Sequence, residues 1–291
     1  MKYLILVLVF LLPQEQLLAQ SYQKQKNQLF VYNVAIGGII GGVGALINKG
    51  KDENGWKVFL KGTGQGLLGG FINYQAKNLT YQIAKKEKLS YGWWARITQS
   101  VAASITENAA SNRNFWESFH INYGPIRFEI DKRNAFKPSV KVAPGALYGM
   151  IWMSTKGRFD FKTSFQSGAP VFLSDGSIRI FGDLFAGYVL AGSMAYDKRE
   201  LDNYELFAHE FIHVLQYDDY VGLNSFFDKP LQKWIEKTSF FRATNKFIYY
   251  DFHLPIWSTV LLIVKEDFDT YYRNWFEFEA EHFATKRAVV R

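Results

Sequence analysis

Fourteen consecutive residues without a polar side chain, positions 34–47, constrain this chain more than any other stretch. Within them glycines recur four apart, Gly37 with Gly41 and Gly38 with Gly42. Residues four apart share a helix face, and a row of glycines there lets a second backbone approach closely. A related segment follows, with Gly62, Gly64, Gly66, Gly69 and Gly70 ahead of Phe71 and Ile72, and the polar run 49–55 lies between. The two segments predict a close-packed helical hairpin. A bilayer span needs about twenty apolar residues, so packing within the protein is favoured over membrane insertion. A third helix is expected over Tyr91–Ala110, turning Trp93 and Trp94 toward the core. Residues 21–115 thus read as a glycine-rich helical region.

From residue 118 to about 195 the pattern changes to short alternating runs such as Ile126-Arg127-Phe128-Glu129-Ile130, Phe159-Asp160-Phe161 and Ile178-Arg179-Ile180. Turn signals at Ser167-Gly168 and Asp175-Gly176 separate them, and an antiparallel β meander fits. Helices are expected over 202–217, from a capping box of Asp202 and Glu205, over 230–246 from Pro230, and over 269–289. The apolar run 255–264 is too short to cross a bilayer and is read as core. The fold class is α+β, with residues 116–291 forming the second region.

The helix over 202–217 contains His209-Glu210-Phe211-Ile212-His213 in apolar surroundings. Imidazoles four residues apart stand one above the other, so both can aim a nitrogen at one ion, while Glu210 can reach a water on that ion. Two buried histidines and a carboxylate would be costly without partners, and a bound zinc supplies one. The alternative is a pair of hydrogen-bonded core histidines with a surface glutamate between them.

A catalytic zinc takes three protein ligands and keeps a fourth position open. Near the C-terminus, Glu277 and Glu281 share a helix face among Trp275, Phe276, Phe278 and Phe283. Alone they would read as the solvent face of an amphipathic helix; beside the upstream histidines they read as ligand candidates.

These two motifs together, His209-Glu210-x-x-His213 and Glu277-x-x-x-Glu281, resemble those of the gluzincin zinc metallopeptidases, in the pattern of the CAAX-protease and heat-shock membrane-protease type. The resemblance covers about a tenth of the chain, and the multi-span membrane body of that family is absent. It implies that His209, His213 and Glu277 hold Zn2+, that Glu210 is the general base, and that Glu281 orients a ligand histidine from behind. The trailing acid is glutamate here where aspartate is usual. His253, Tyr249, Tyr250, Tyr271, Tyr272 and Arg273 all remain open as donors to a developing oxyanion.

Two rival ligand sets are weaker. A metzincin arrangement would put its glycine at Gln216 and its third ligand at Asp219, and glutamine lacks glycine's freedom at positive φ. His282 is five residues from Glu277, off its face, and reads as an ordinary partly exposed histidine.

The first twenty residues join a basic start to a short apolar run, with Ala19 or Gln20 preceding a cleavage point, and read as a secretory signal peptide. The alternative is an uncleaved anchor. The absence of cysteine excludes disulfides and thiolate ligands, and exported and cysteine-free suggests a periplasmic, envelope or secreted bacterial protein. With 48% hydrophobic and 18% aromatic residues, disorder is excluded. The net charge of +7 is spread along the chain without a nucleic-acid motif, which sets nucleic-acid partners aside and leaves attraction to anionic surfaces. The expectation is an exported zinc metallopeptidase acting on a protein or peptide substrate, with a membrane-surface role for the hairpin open. The alternative is an envelope-associated binding or structural module whose zinc is structural or vestigial.

Overall fold

The computed structural model describes residues 22–180, 182–254 and 274–287. The signal-peptide reading, the apolar run 255–264 and the candidates Tyr271, Tyr272 and Arg273 fall outside them. The expected hairpin is formed by helices α1 (Tyr22–Asn48) and α2 (Gly55–Lys86), followed by α3 (Tyr91–Ala110). The glycines are there because backbones touch. A Cβ on Gly37 would lie 2.3 Å from the Gly66 carbonyl oxygen, and one on Gly66 would lie 2.1 Å from that of Gly37. Asn54 starts α2 by accepting a hydrogen bond from the Lys57 amide, and Glu87 ends it in the left-handed conformation.

Strands β1 (Ser118–Tyr123), β2 (Ile126–Asp131) and β3 (Pro138–Val142) form an antiparallel sheet in sequence order. The meander stops there. Helix α4 (Pro144–Ser154) intervenes, then β4 (Arg158–Phe159), α5 (Phe161–Ser167), β5 (Val171–Ser174), a hairpin of β6 (Ile178–Ile180) and β7 (Asp183–Phe185), β8 (Gly187–Leu190) and β9 (Ser193–Asp197). The expected strand at Phe159-Asp160-Phe161 turns into a helix because the Asp160 carboxylate accepts from the Thr163 amide at 2.7 Å and caps α5. The second sheet runs β4-β5-β9-β8 and is mixed: β5 lies parallel to β9, from Val171 opposite Met194 to Ser174 opposite Asp197. The segment from β6 to β8 supplies the crossover that a parallel pair requires. The α+β class holds, with its strands divided among three sheets.

Helix α6 (Tyr204–Asp219) runs through the core. Its cap is one residue later than expected: Asn203 Oδ1, not Asp202, accepts from the Leu206 amide at 3.1 Å. Past it, the helix expected over 230–246 is two, α7 (Asp228–Lys237) and α8 (Ser239–Thr244), parted where Thr238 is extended. The helix expected over 269–289 is shorter: α9 (Trp275–Thr285) starts at extended Asn274, whose Oδ1 accepts from the Phe276 amide at 2.8 Å, and ends where Lys286 turns left-handed.

Phe207, Phe211, Ile212 and Leu215 of α6 are completely buried, in one cluster with Phe278 and Phe283 of α9, Val171 and Met194 of the mixed sheet, and Leu29 and Ile83 of the hairpin. Each such side chain contributes about 1.5–3 kcal/mol on burial. This core crosses the division expected at residue 115. Trp94, expected inside, is 63% exposed, and the Trp93 indole donates to the Phe165 carbonyl.

Candidate metal centre

Helices α6 and α9 lie against each other and bring together groups distant in sequence. His209 and His213 project from one face of α6, and Glu277 projects from the first turn of α9. Glu277 Oε2 stands 3.1 Å from His209 Nε2 and 3.4 Å from His213 Nε2, and the two Nε2 atoms are 3.3 Å apart. Zinc ligands at about 2.0–2.1 Å in a tetrahedral array stand about 3.3 Å from one another. The three donor atoms therefore have the spacing of one tetrahedral face. Solvent reaches the cluster, since 17% of each histidine side chain and 11% of the Glu277 side chain remain exposed.

The outer nitrogens fix how the inner ones can act. His213 Nδ1 lies 2.8 Å from Gln216 Oε1, while Gln216 Nε2 donates to the Phe276 carbonyl at 3.0 Å and to Glu279 Oε2 at 2.9 Å. With its amide hydrogens so placed, Gln216 offers only an acceptor, so His213 Nδ1 carries the proton. His209 Nδ1 faces Glu281 Oε2 at 3.5 Å, which selects the same tautomer. With both protons outward, the Nε2 lone pairs point toward each other and toward a carboxylate, and a cation between them would satisfy all three. A proton is one such cation: burial alone would lower the His209 pKa, yet Glu277, Glu281 and Glu210 raise it to about 10. His213 is likewise raised by Glu277 against its burial. Glu277 is held below the usual carboxylate range because the two imidazoles outweigh its burial. The donor set is nitrogen and carboxylate oxygen, which suits zinc.

Glu210 is buried, and burial raises its pKa despite the nearby histidines. Its carboxylate lies along β8. A Cβ on Gly187 would come within 2.5 Å of Glu210 Cγ and 2.8 Å of its Oε1, so a larger residue there would push the Glu210 side chain from its place. The next residue, Tyr188, is raised in pKa by burial and by the charges of Glu210 and Glu277, and stays a neutral hydroxyl.

The other sequence candidates lie elsewhere. Asp219, the metzincin alternative, pairs with Lys77. His253 is buried against Asn224 and the Tyr217 ring, Tyr249 bonds Asn224 and Glu107, and the Tyr250 hydroxyl meets that of Thr244. His282 is completely buried, not partly exposed, because α9 turns it inward to stack on Tyr22 at 4.9 Å. Gln216, Glu279 and Tyr188 are the neighbours that sequence reading passed over. Gln216 carried a signal, standing three residues beyond His213 on the same face; an aromatic residue in a strand carries none.

Comparison of the chain with protein-family models, with curated proteins and with solved structures gave no match.

Proposed function

We propose that the protein is an exported zinc metallopeptidase of the gluzincin type, with His209, His213 and Glu277 as metal ligands, Glu281 behind His209, and Glu210 as general base. The observation that carries this reading is the triangle of donor atoms at 3.1–3.4 Å with both Nδ1 protons turned outward. When bound, zinc would lower the pKa of a water to about 7 and polarise the scissile carbonyl. Glu210, raised by burial and set beside the two imidazoles, takes the proton from the water that adds to the carbonyl and passes it to the leaving nitrogen.

Strand β8 supports a peptide substrate. It is an outer strand of the mixed sheet and packs against α6 beside Glu210, and among the described residues no strand covers its free edge. An extended peptide hydrogen-bonded along that edge would bring a backbone carbonyl past Glu210. The test is elemental analysis of purified protein together with a Glu210→Gln variant assayed on unstructured protein substrate. One zinc per chain is expected in both, with hydrolysis lowered about 10²–10⁴-fold in the variant. Undiminished hydrolysis by a zinc-loaded variant would remove Glu210 from the chemistry.

One observation favours a membrane-surface role alongside this activity. The outward stripe of α2 carries Trp56, Lys57, Leu60, Lys61, Leu67, Leu68 and Phe71, all exposed. Apolar side chains interleaved with lysines suit an anionic lipid surface. Cosedimentation with anionic vesicles should fall on substituting Leu67 and Phe71 with serine, and equal sedimentation of both proteins would discard this role.

A further inference from the structure

Helix α2 holds a lysine that solvent does not reach. Lys77 is completely buried, with its ammonium 2.7 Å from Glu279 Oε2, 2.5 Å from Asp219 Oδ2 and 3.0 Å from Asn33 Oδ1. All three of its protons are used. Burying a cation and two carboxylates is costly, and apolar side chains of similar volume often serve stability as well. What the partners do explains the charge better than stability does.

Glu279 lies between Glu277 and Glu281 in sequence but on another face of α9, turned into the hairpin. Its Oε1 accepts from Asn33 Nδ2 at 2.8 Å, and its Oε2 accepts from Lys77 and from Gln216 Nε2. A carboxylate pinned in this way admits only the amino end of Gln216. The carbonyl end is then left for His213 Nδ1. With the amide reversed, its NH2 would face Nδ1, the imidazole proton would move to Nε2, and that nitrogen would have no lone pair for a metal.

We propose that Lys77 is a positioning residue for the metal centre: through Glu279 and Gln216 it fixes the Nδ1-protonated form of His213 and couples docking of the glycine hairpin to metal binding. This rests on the zinc reading above. Because coupling is reciprocal, whatever the docked hairpin adds to metal affinity, the metal adds to the hairpin's hold on the core.

The experiment uses the full chain and two readouts. Zinc affinity is measured by competition with a chromophoric chelator, and amide hydrogen exchange across residues 22–86 is followed with and without zinc. Wild type is compared with Lys77→Met, Gln216→Leu, their double variant, and Asn73→Ala. Asn73 donates to Asn33 Oδ1 and Asp219 Oδ1 without touching Glu279, so it reports on the same polar cluster apart from the relay. Lys77→Met and Gln216→Leu are each expected to weaken zinc binding about 10–100-fold, with no further loss in the double variant. Asn73→Ala should melt lower and bind zinc as wild type does. Zinc should slow exchange in α1 and α2 of wild type but not of Lys77→Met. A folded Lys77→Met protein with wild-type zinc affinity would overturn the proposal, as would multiplying losses in the double variant. If Lys77→Met does not fold, Asn33→Ala takes its place, since it removes one donor to Glu279; equal zinc affinity in Asn33→Ala and Asn73→Ala would then overturn it. Failure of the wild-type chain to bind zinc would sink the metal reading itself, and this coupling with it.

Discussion

Two buried charged clusters in this protein are built on opposite principles. Around Arg127, between the three-stranded sheet and α3, every charge meets its opposite. The guanidinium lies 2.8 Å from Glu129 and 3.0 Å from Glu107, Lys141 joins Glu129 at 3.3 Å, and the Tyr249 ring covers the guanidinium carbon at 3.9 Å. Around His209 three donor atoms converge on one point, and without a metal only a proton held between His209 and Glu277 balances them. Buried charge as such is a poor guide to function, because ions that pair with one another need no ligand to balance their charge, even where, as at Arg127 Nη1, a buried donor is left without a partner. A cluster whose members all face inward with one sign of electron density is incomplete, and that incompleteness is the functional signal.

Removing one partner should separate the two clusters most sharply. Arg127→Met leaves Glu107 without its cation and Glu129 with Lys141 alone, so stability should fall by about 3–5 kcal/mol in denaturant melts while zinc affinity is unchanged. A loss of zinc binding there would mean that the two clusters are one system.

Next comes pH, with opposite slopes. Burial, aided by Arg127, lowers the His120 pKa to about 3. Below the unfolded value near 6.5 the unfolded chain takes a proton that the folded chain refuses. Stability from this group is therefore lost as pH falls from 6.5 toward 3. His209 in the metal-free protein is raised to about 10, so its contribution is complete below 6.5 and disappears as pH rises toward 10. Each change is on the order of 5 kcal/mol in total. Melts of chelator-treated protein should lose the acid slope in His120→Gln and the alkaline slope in His209→Gln, and one common slope would break the comparison.

Glu281→Gln should weaken zinc about tenfold, the low end for a group behind a ligand, because Glu281 is half exposed and 3.5 Å from His209. Smallest is the cap. Asn203→Ala should cost about 1 kcal/mol in thermal melts and Asp202→Ala almost nothing, which distinguishes the observed start of α6 from the one its sequence suggests.

How much of this was legible in the chain depended on the range of the interaction. His209, Glu210 and His213 declare themselves because helix periodicity alone sets their relation. The hairpin declares itself because glycine spacing has a single steric meaning. Glu277 was found by motif, 68 positions from His209. Lys77 and Glu279, 202 positions apart, had no such help, since a lysine in a glycine-rich helix reads as solvated until the fold buries it. The parallel pairing of β5 with β9 was hidden for a related reason: alternation marks a strand but does not name its neighbour. Trp94 lies outside because the buried face of this helix is filled mainly by small residues such as Ala95, Ala102 and Ala109, with Trp94 and Ile97 on the solvent side.

The position of Glu277 late in the chain has a consequence for biosynthesis. A ribosome releases residues 209–213 long before it reaches α9, so the growing polypeptide carries two imidazoles and a carboxylate that have nothing to close around. A product stopped before position 277 would lack the third donor, so on the proposed reading it could not hold the metal.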